Sequence, residues 1–488
     1  MDETPRPKDA SRRAFLRTTG SIGAVAAVGS SITGFTDSAG STGGERIRTG
    51  PRIGGLDWEA EIPEIRGYPT LGELHRSIEG VRREHPRRTK LRTVGRSRGG
   101  REILLLSVGE GRNNALVLGG PHPNEPTGFL TVLHLARLAA EHPELAEGLD
   151  VTWHIVPCMD PDAMRLGEGW YGGPHTIENY YGKFYRPAFR NQVEWNFPVE
   201  GGFNSPLPET RHLMAVIDEL KPKLVYTLHS SDFTGFHFMM NRDVPELVSG
   251  VERAIARRGL PFHAAPTDGG ATPLGPGAYL LLPRVEPVPG EQMTPGASSI
   301  QYAERHGALG ILPETAMWHS PAFEDTRGSG HRLPELLGRA ADGLERDGEM
   351  LADTVRRTSD RFPALSPHFA AVTEGRELIG RFTRAYRRSA TDPAQDREAT
   401  VAERFDLLWM GHTLTLRPAG MLLQLLDGID LDGIGDDAPD VRRARKRLRQ
   451  WFVRRCSHMR RDFPGRHLDP RDLTALQLDV AFTAARSL

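Results

Sequence analysis

The chain has 488 residues, 38% of them hydrophobic and 26% charged, which suffices for two globular domains with sizeable cores and excludes a disordered protein. Its formal net charge is −1, so no global field points to nucleic acid or to an anionic membrane surface as a partner. Any partner has to be read from local sites.

In chain order, residues 1–50 come first and differ from the rest. "SRRAFLRTTG" precedes a short, glycine-containing apolar stretch and then a Ser/Gly/Thr-rich linker. Arg12 and Arg13, followed by Phe15 and Leu16, resemble a twin-arginine export signal, and the apolar stretch is too short to predict a permanent membrane span. The expectation is passage through the twin-arginine machinery into an extracellular, periplasmic or cell-wall space. Only Cys158 and Cys456 are present, so no disulfide framework and no thiolate metal site is expected. A single bridge and two separate buried thiols both remain open.

"TLGELHRSIEGVRREHP" places Leu71, Leu74, Ile78 and Val81 at helical spacing, with Thr70 as its cap. "KLRTVGRS" and "EILLLSVGEG" read as a hairpin, and Ala115–Leu118 as a core strand ending at Gly119 and Gly120. The helix "TGFLTVLHLARLAAEHPEL" and the strand "VTWHIVPCMD" follow, then two more strands in "PKLVYTLHSS" and "ALGILPETAMW". This alternation predicts an α/β fold over residues 51–335, a mixed twisted sheet sandwiched by helices. Residues 336–488 read as a helical C-terminal region without strand signals. There, Val441, Ala444, Leu448, Phe452, Cys456 and Met459 form one apolar stripe on a helix carrying ten arginines and lysines. Such a charged face is more often solvated than bound to an anionic polymer.

Three of the strands end in chemistry: His122 with Glu125, then His229, then Glu314. Open α/β sheets gather ligands at the carboxyl ends of their strands, so these residues are expected in one crevice. Two histidines and a carboxylate suit a catalytic zinc ion with one open position, and a further glutamate would supply a general base.

At this point the segment from about Arg66 to Pro321 resembles the zinc carboxypeptidase family, the funnelins. "GYPTLGELHRSIEGVRREHP" and "VGRSRGGREILLLSVG" look like the family's opening helix and hairpin, and "GGPHPNEPTG" like its H-x-x-E segment. "LVYTLHSS", with 103 residues between Glu125 and His229, is similar to its third-ligand strand, and "SSIQYAERHGALGILPE" to the segment that ends in its catalytic glutamate. The resemblance implies one zinc ion held by His122, Glu125 and His229, with Glu314 as general base and acid. Arg186 falls where the family has an oxyanion-stabilising arginine, with Arg190 as the alternative four residues on.

The departures concern the substrate. Where the family has D-x-N-R-N-F, with Asn and Arg gripping a free C-terminal carboxylate, this chain has "QVEWNFP". Glu194 and Trp195 replace the Asn–Arg pair, and Gln192 replaces the aspartate that would orient a ligand histidine. Glu194 would repel a carboxylate and could meet an amino group, while Trp195 could stack on a ring. Arg190, Ser230 and Ile300 complete the expected substrate contacts. The reading is an exported zinc metallopeptidase of the carboxypeptidase type, acting on a peptide or cell-wall peptide. A zinc amidohydrolase or deacylase acting on a cell-wall peptide or an N-acyl amino acid, and a non-catalytic zinc-binding protein on the same scaffold, are the alternatives.

Overall fold

The computed structural model describes residues 52–488 except 54, 265–271, 282–295, 364, 431–437 and 464, so the export motif at Arg12 and Arg13 lies outside the described residues. Ten strands follow one another in the first part of the chain: β1 (Thr89–Arg96), β2 (Glu102–Val108), β3 (Asn113–Leu118), β4 (Val151–Val156), β5 (Leu224–Thr227), β6 (Ser230–Phe233), β7 (His237–Met240), β8 (Thr272–Gly275), β9 (Ala278–Leu280) and β10 (Leu309–His319). They form one mixed sheet in the order β1-β2-β4-β3-β5-β10-β7-β9-β8, with β6 alongside the second half of β10. The central strands β4, β3, β5 and β10 run parallel, and β2 and β7 flank them antiparallel. This is the expected α/β architecture.

The sheet is buried on both faces because β3 alternates between two cores. Ala115 and Val117 pack into the larger one with Leu74 and Ile78, while Leu116 and Leu118 pack into a smaller one with Leu213, Ile217 and Ile300. A strand covered on both sides has no polar face, which is why its sequence is a continuous apolar run. Fully burying one such leucine stabilises the fold by roughly 1.5–3 kcal/mol.

Helix α1 (Leu71–Glu84) starts at the expected Thr70, whose side chain caps Glu73 N–H while Glu73 returns a carboxylate to the Thr70 backbone, and its four expected apolar residues are buried. Helix α2 (Thr127–Glu141) stops short of the span read from the sequence. Pro143 cannot continue a helix interior, so it opens a separate helix, α3 (Pro143–Leu149). Next come α4 (Pro161–Gly167), α5 (Ile177–Gly182), α6 (Pro208–Leu220), α7 (Pro245–Arg257) and the short α8 (Ser299–Ala303).

The C-terminal region consists of α9 (Leu333–Thr358), α10 (Pro367–Ala390), α11 (Val401–Asp427), α12 (Ala438–Asp462) and α13 (Pro470–Arg486). It is not free of strands. β11 (Gly328–Arg332) pairs with β12 (Glu398–Thr400), and β13 (Arg466–His467) pairs antiparallel with Trp318 and His319 of β10. Two-residue and three-residue strands carry no periodicity, which is why sequence patterns miss them.

The six-residue stripe on α12 is buried as expected. Cys158 and Cys456 are separate, buried thiols. Helix α13 returns to the sheet and packs between α2 and α7, so α2 is covered on both sides and buries nearly its whole circumference. No helix among the described residues is long and apolar enough to cross a membrane.

Candidate metal centre

After β3 the chain turns sharply. Gly120 has φ +60°, and a Cβ there would stand 2.3 Å from the ring of Phe129, so glycine serves both the backbone and the packing. The turn presents His122, and Glu125 N–H donates to the His122 carbonyl at 3.2 Å, which brings both side chains to one side. Helix α2 starts two residues later.

β5 and β6 are one strand interrupted at Leu228 and His229. Their parallel register on β10 is the same before and after the break, with Leu309 opposite Leu224 and Thr315 opposite Ser230. Glu314 therefore falls opposite His229. The three strand ends meet as the sequence predicts.

His122, Glu125 and His229 are buried and offer one donor atom each within 4.8 Å of the others. His122 Nδ1 lies 3.1 Å from Glu125 Oε1, and His229 Nδ1 lies 3.0 Å from Glu125 Oε2. Donors placed about 2.1 Å from a tetrahedral zinc ion are separated by roughly 3.4 Å, so small shifts seat an ion here. The orphaned nitrogens argue for the same fit. His122 Nδ1 and His229 Nε2 are buried and make no hydrogen bond among the described residues. Burial, and then the charge of Arg186, push His122 down to about 3, which keeps it neutral with a lone pair available. Burial opposes a charge on Glu125, yet the two histidines and Arg186 hold its carboxyl well below the usual range. Burial likewise opposes a charge on His229, but Glu125, Glu314 and Glu194 together outweigh it and the net shift is upward.

Arg186 is the arginine that reaches this cluster. It donates from one nitrogen to Glu125 Oε1 at 2.7 Å, and its other terminal nitrogen lies 3.1 Å from His122 Nε2. Arg190 lies apart on an exposed turn next to Glu374, because the intervening Pro187 and Ala188 redirect the chain.

Glu314 is half-buried, and Ser231 Oγ donates to its Oε2 at 2.6 Å. Ser230 contributes through its backbone N–H, which donates to Glu125 Oε2 at 3.3 Å, while its hydroxyl pairs with Thr315. Trp195 lies at the rim, its ring centroid 6.1 Å from that of His229.

Besides Arg190, two more expected substrate contacts are placed elsewhere. Glu194 is fully buried: Oε1 accepts from Ser299 N–H and Oγ, and Oε2 from Thr227, while burial pushes its carboxyl up to about 7. It holds the loop against α8 and presents no open charge. Ile300 is also fully buried, beneath Gly310 in the smaller core. Gln192, expected to serve a ligand histidine, instead donates to the Pro187 carbonyl.

Sequence reasoning missed Gln477 of α13, the residue that does hold His229. Its amide nitrogen donates to the His229 carbonyl and to Thr315 Oγ1, both at 3.0 Å, and its oxygen accepts from Thr131 at 2.6 Å. It was detectable as a lone amide in the apolar run "LTALQLDVAF".

Residues 74–242 match the family model for zinc carboxypeptidases, a span that includes all three donors and Arg186 and ends before Glu314. The chain is 28% identical over 251 residues to zinc carboxypeptidase A 1 of Anopheles gambiae, an alignment covering 44% of this chain and 55% of that protein. It thus spans about half the length of this curated relative. Among solved structures it is similar to carboxypeptidase A from Helicoverpa armigera, 13% identical, covering 52% of this chain and 66% of that one with a TM-score of 0.36. It is also similar to a metallo-carboxypeptidase from Burkholderia cenocepacia, 15% identical, covering 53% and 61% with a TM-score of 0.33.

Proposed function

Since residues 74–242 carry a zinc carboxypeptidase domain, we propose that this chain is a zinc-dependent metallopeptidase that hydrolyses a peptide bond with Glu314 as general base and acid. The observation that carries the reading is the register across the break between β5 and β6. It sets Glu314 opposite His229, which belongs to the same cluster as His122 and Glu125. Zinc bound by these three donors supplies Lewis acidity and lowers the pKa of water to near 7.

The remaining chemistry belongs to the chain. Glu314, its carboxylate steadied by Ser231, accepts the proton of the attacking water and returns it to the leaving amine. Arg186, about one-fifth exposed, offers a guanidinium to the oxygen that gains charge as the carbonyl is attacked. Glu125 orients that guanidinium. Trp195 walls the approach to His229.

The "QVEWNFP" segment holds no cation aimed at a terminal carboxylate. Glu194 is engaged with Ser299, and Asn196 bridges the Arg190 carbonyl and the Leu207 N–H. The twin-arginine motif supports export, and a substrate in the cell-wall space accords with that location. Replacing Arg12 and Arg13 by lysines should leave the protein in the cytoplasm on fractionation.

The direct test is zinc content together with turnover of blocked dipeptides bearing free or amidated C-termini and of muropeptides. Wild type should hold one zinc per chain, and Glu314→Gln should keep the zinc and lose at least a hundredfold in kcat. Zinc binding with unchanged turnover in Glu314→Gln would refute the assigned base.

A further inference from the structure

A guanidinium approaches the site from outside the family-matched segment. Asp232 lies three residues past the zinc-ligand candidate His229, is fully buried, and is the point where α11 docks. Trp409 Nε1 donates to its Oδ1 at 3.0 Å, and Thr413 Oγ1 and Arg417 donate to its Oδ2 at 3.4 and 3.3 Å. These three residues recur every fourth position, so one face of α11 is committed to this contact. Gly420, just beyond, permits the approach, because a Cβ there would stand 1.8 Å from the Tyr181 carbonyl oxygen.

Docking of α11 brings Arg417 close to Arg186. The Arg417 guanidinium packs over Phe184, two residues before Arg186, and meets Asp232, three residues past His229. Asp232 does not satisfy this guanidinium completely. Its Oδ2 already accepts from the Tyr181 hydroxyl at 2.5 Å, and Arg417 meets it with one terminal nitrogen at long range. Arg417 Nε is buried with no partner among the described residues, while about a quarter of the side chain stays open. Its guanidinium lies 5.1 Å from the ring centroid of Phe184, two residues before Arg186, which fixes it without satisfying its donors.

We propose that Arg417 binds a carboxylate of the substrate, so that α11 of the C-terminal region is a wall of the substrate site and supplies the cation that "QVEWNFP" lacks. This rests on the peptidase reading above. The ligand class is a peptide, or other acylated amino acid, ending in a free carboxylate; the planar fork of arginine suits that group.

The test is calorimetric binding of 3-phenylpropionate and of its amide to the zinc-loaded protein. Wild type should bind the acid at least tenfold more tightly than the amide. Arg417→Gln should erase that preference by weakening the acid tenfold or more while moving the amide less than twofold. Because Arg417→Gln leaves Asp232 buried and unneutralised, the pair Asp232→Asn with Arg417→Gln removes both charges and should show the same loss with a cooperative melt. Should neither neutral variant melt cooperatively, Arg417→Lys keeps a cation on Asp232 and should weaken the acid at least threefold through loss of the fork. In turnover, KM for a free-acid dipeptide should rise at least tenfold while kcat changes less. Absence of an acid preference in wild type, or its persistence in a folded variant, overturns the assignment. Binding of the probe does not require Glu314, so the assignment can fail while Glu314-dependent turnover stands, and the reverse.

Discussion

Gln477→Met tests whether the last helix is part of the metal centre. Methionine matches the length of glutamine and keeps the apolar packing of α13, so the change isolates the amide. Three hydrogen bonds disappear, to the His229 carbonyl, Thr315 Oγ1 and Thr131 Oγ1. They do not count equally. Thr131 retains the Thr127 carbonyl at 3.2 Å and Thr315 retains Ser230 Oγ at 3.2 Å, whereas the side-chain contact left to the His229 carbonyl, from Thr315 Oγ1, is 3.5 Å long. At about 0.5–1.5 kcal/mol for each hydrogen bond lost, a loss of about 2–4 kcal/mol is expected. Because the His229 peptide is the group released, zinc affinity should fall by roughly tenfold or more, as for other supports of metal ligands. Urea unfolding of the zinc-free protein gives the first quantity, and competition with a chelator gives the second. A stability loss below about 1 kcal/mol together with unchanged zinc affinity would refute the role of α13.

Two further outcomes follow from burial. Burial raises the Asp160 carboxyl to about 7, although Ala163 N–H and Arg98 oppose the shift. The folded state therefore holds a proton that the unfolded chain releases near pH 4, so stability falls between about pH 4 and 7; Asp160→Asn, which can still cap α4, should flatten that fall and stabilise the protein at pH 8 by up to about 4 kcal/mol. A thermal-melt series from pH 4 to 8 in which parent and variant stay parallel would contradict this. Gly420→Ala should destabilise by at least about 2 kcal/mol, because α11 cannot hold its distance from Tyr181, and the acid preference of the 3-phenylpropionate probe should fall with it; an unchanged melting temperature would show that α11 shifts freely.

The donors and Glu314 were legible because each stands at or near the end of an apolar run long enough to be read as a core strand. The parallel sheet then carries separate strand ends to one crevice whatever the loops between them do. Arg186 and Arg190 could not be separated in the same way. "FYRPAFRN" has no periodicity, and the choice depends on how Pro187 turns the chain. The family position of Glu194 suggests a charge facing substrate, whereas its role follows from Ser299, 105 residues later. Arg417 and Gln477 meet their partners across 185 and 248 residues, beyond the reach of local pattern.

What the sequence did contain was a lone arginine in "LTLRPAGMLLQLL" and a lone amide in "LTALQLDVAF". A polar side chain in an otherwise apolar helix is rarely buried without a partner, so each implied a polar site against which its helix would dock. For both helices that site is strand β6 and the residue before it. Gln477 holds the carbonyl of His229, while Asp232 receives Arg417, Thr413 and Trp409. A chain cut after residue 335 would therefore leave Asp232 with Tyr181 and the Phe233 N–H, and would take the Gln477 amide from the His229 carbonyl. Both losses fall within three residues of a metal donor. The cost of the cut would register first in zinc affinity, before the sheet itself gave way.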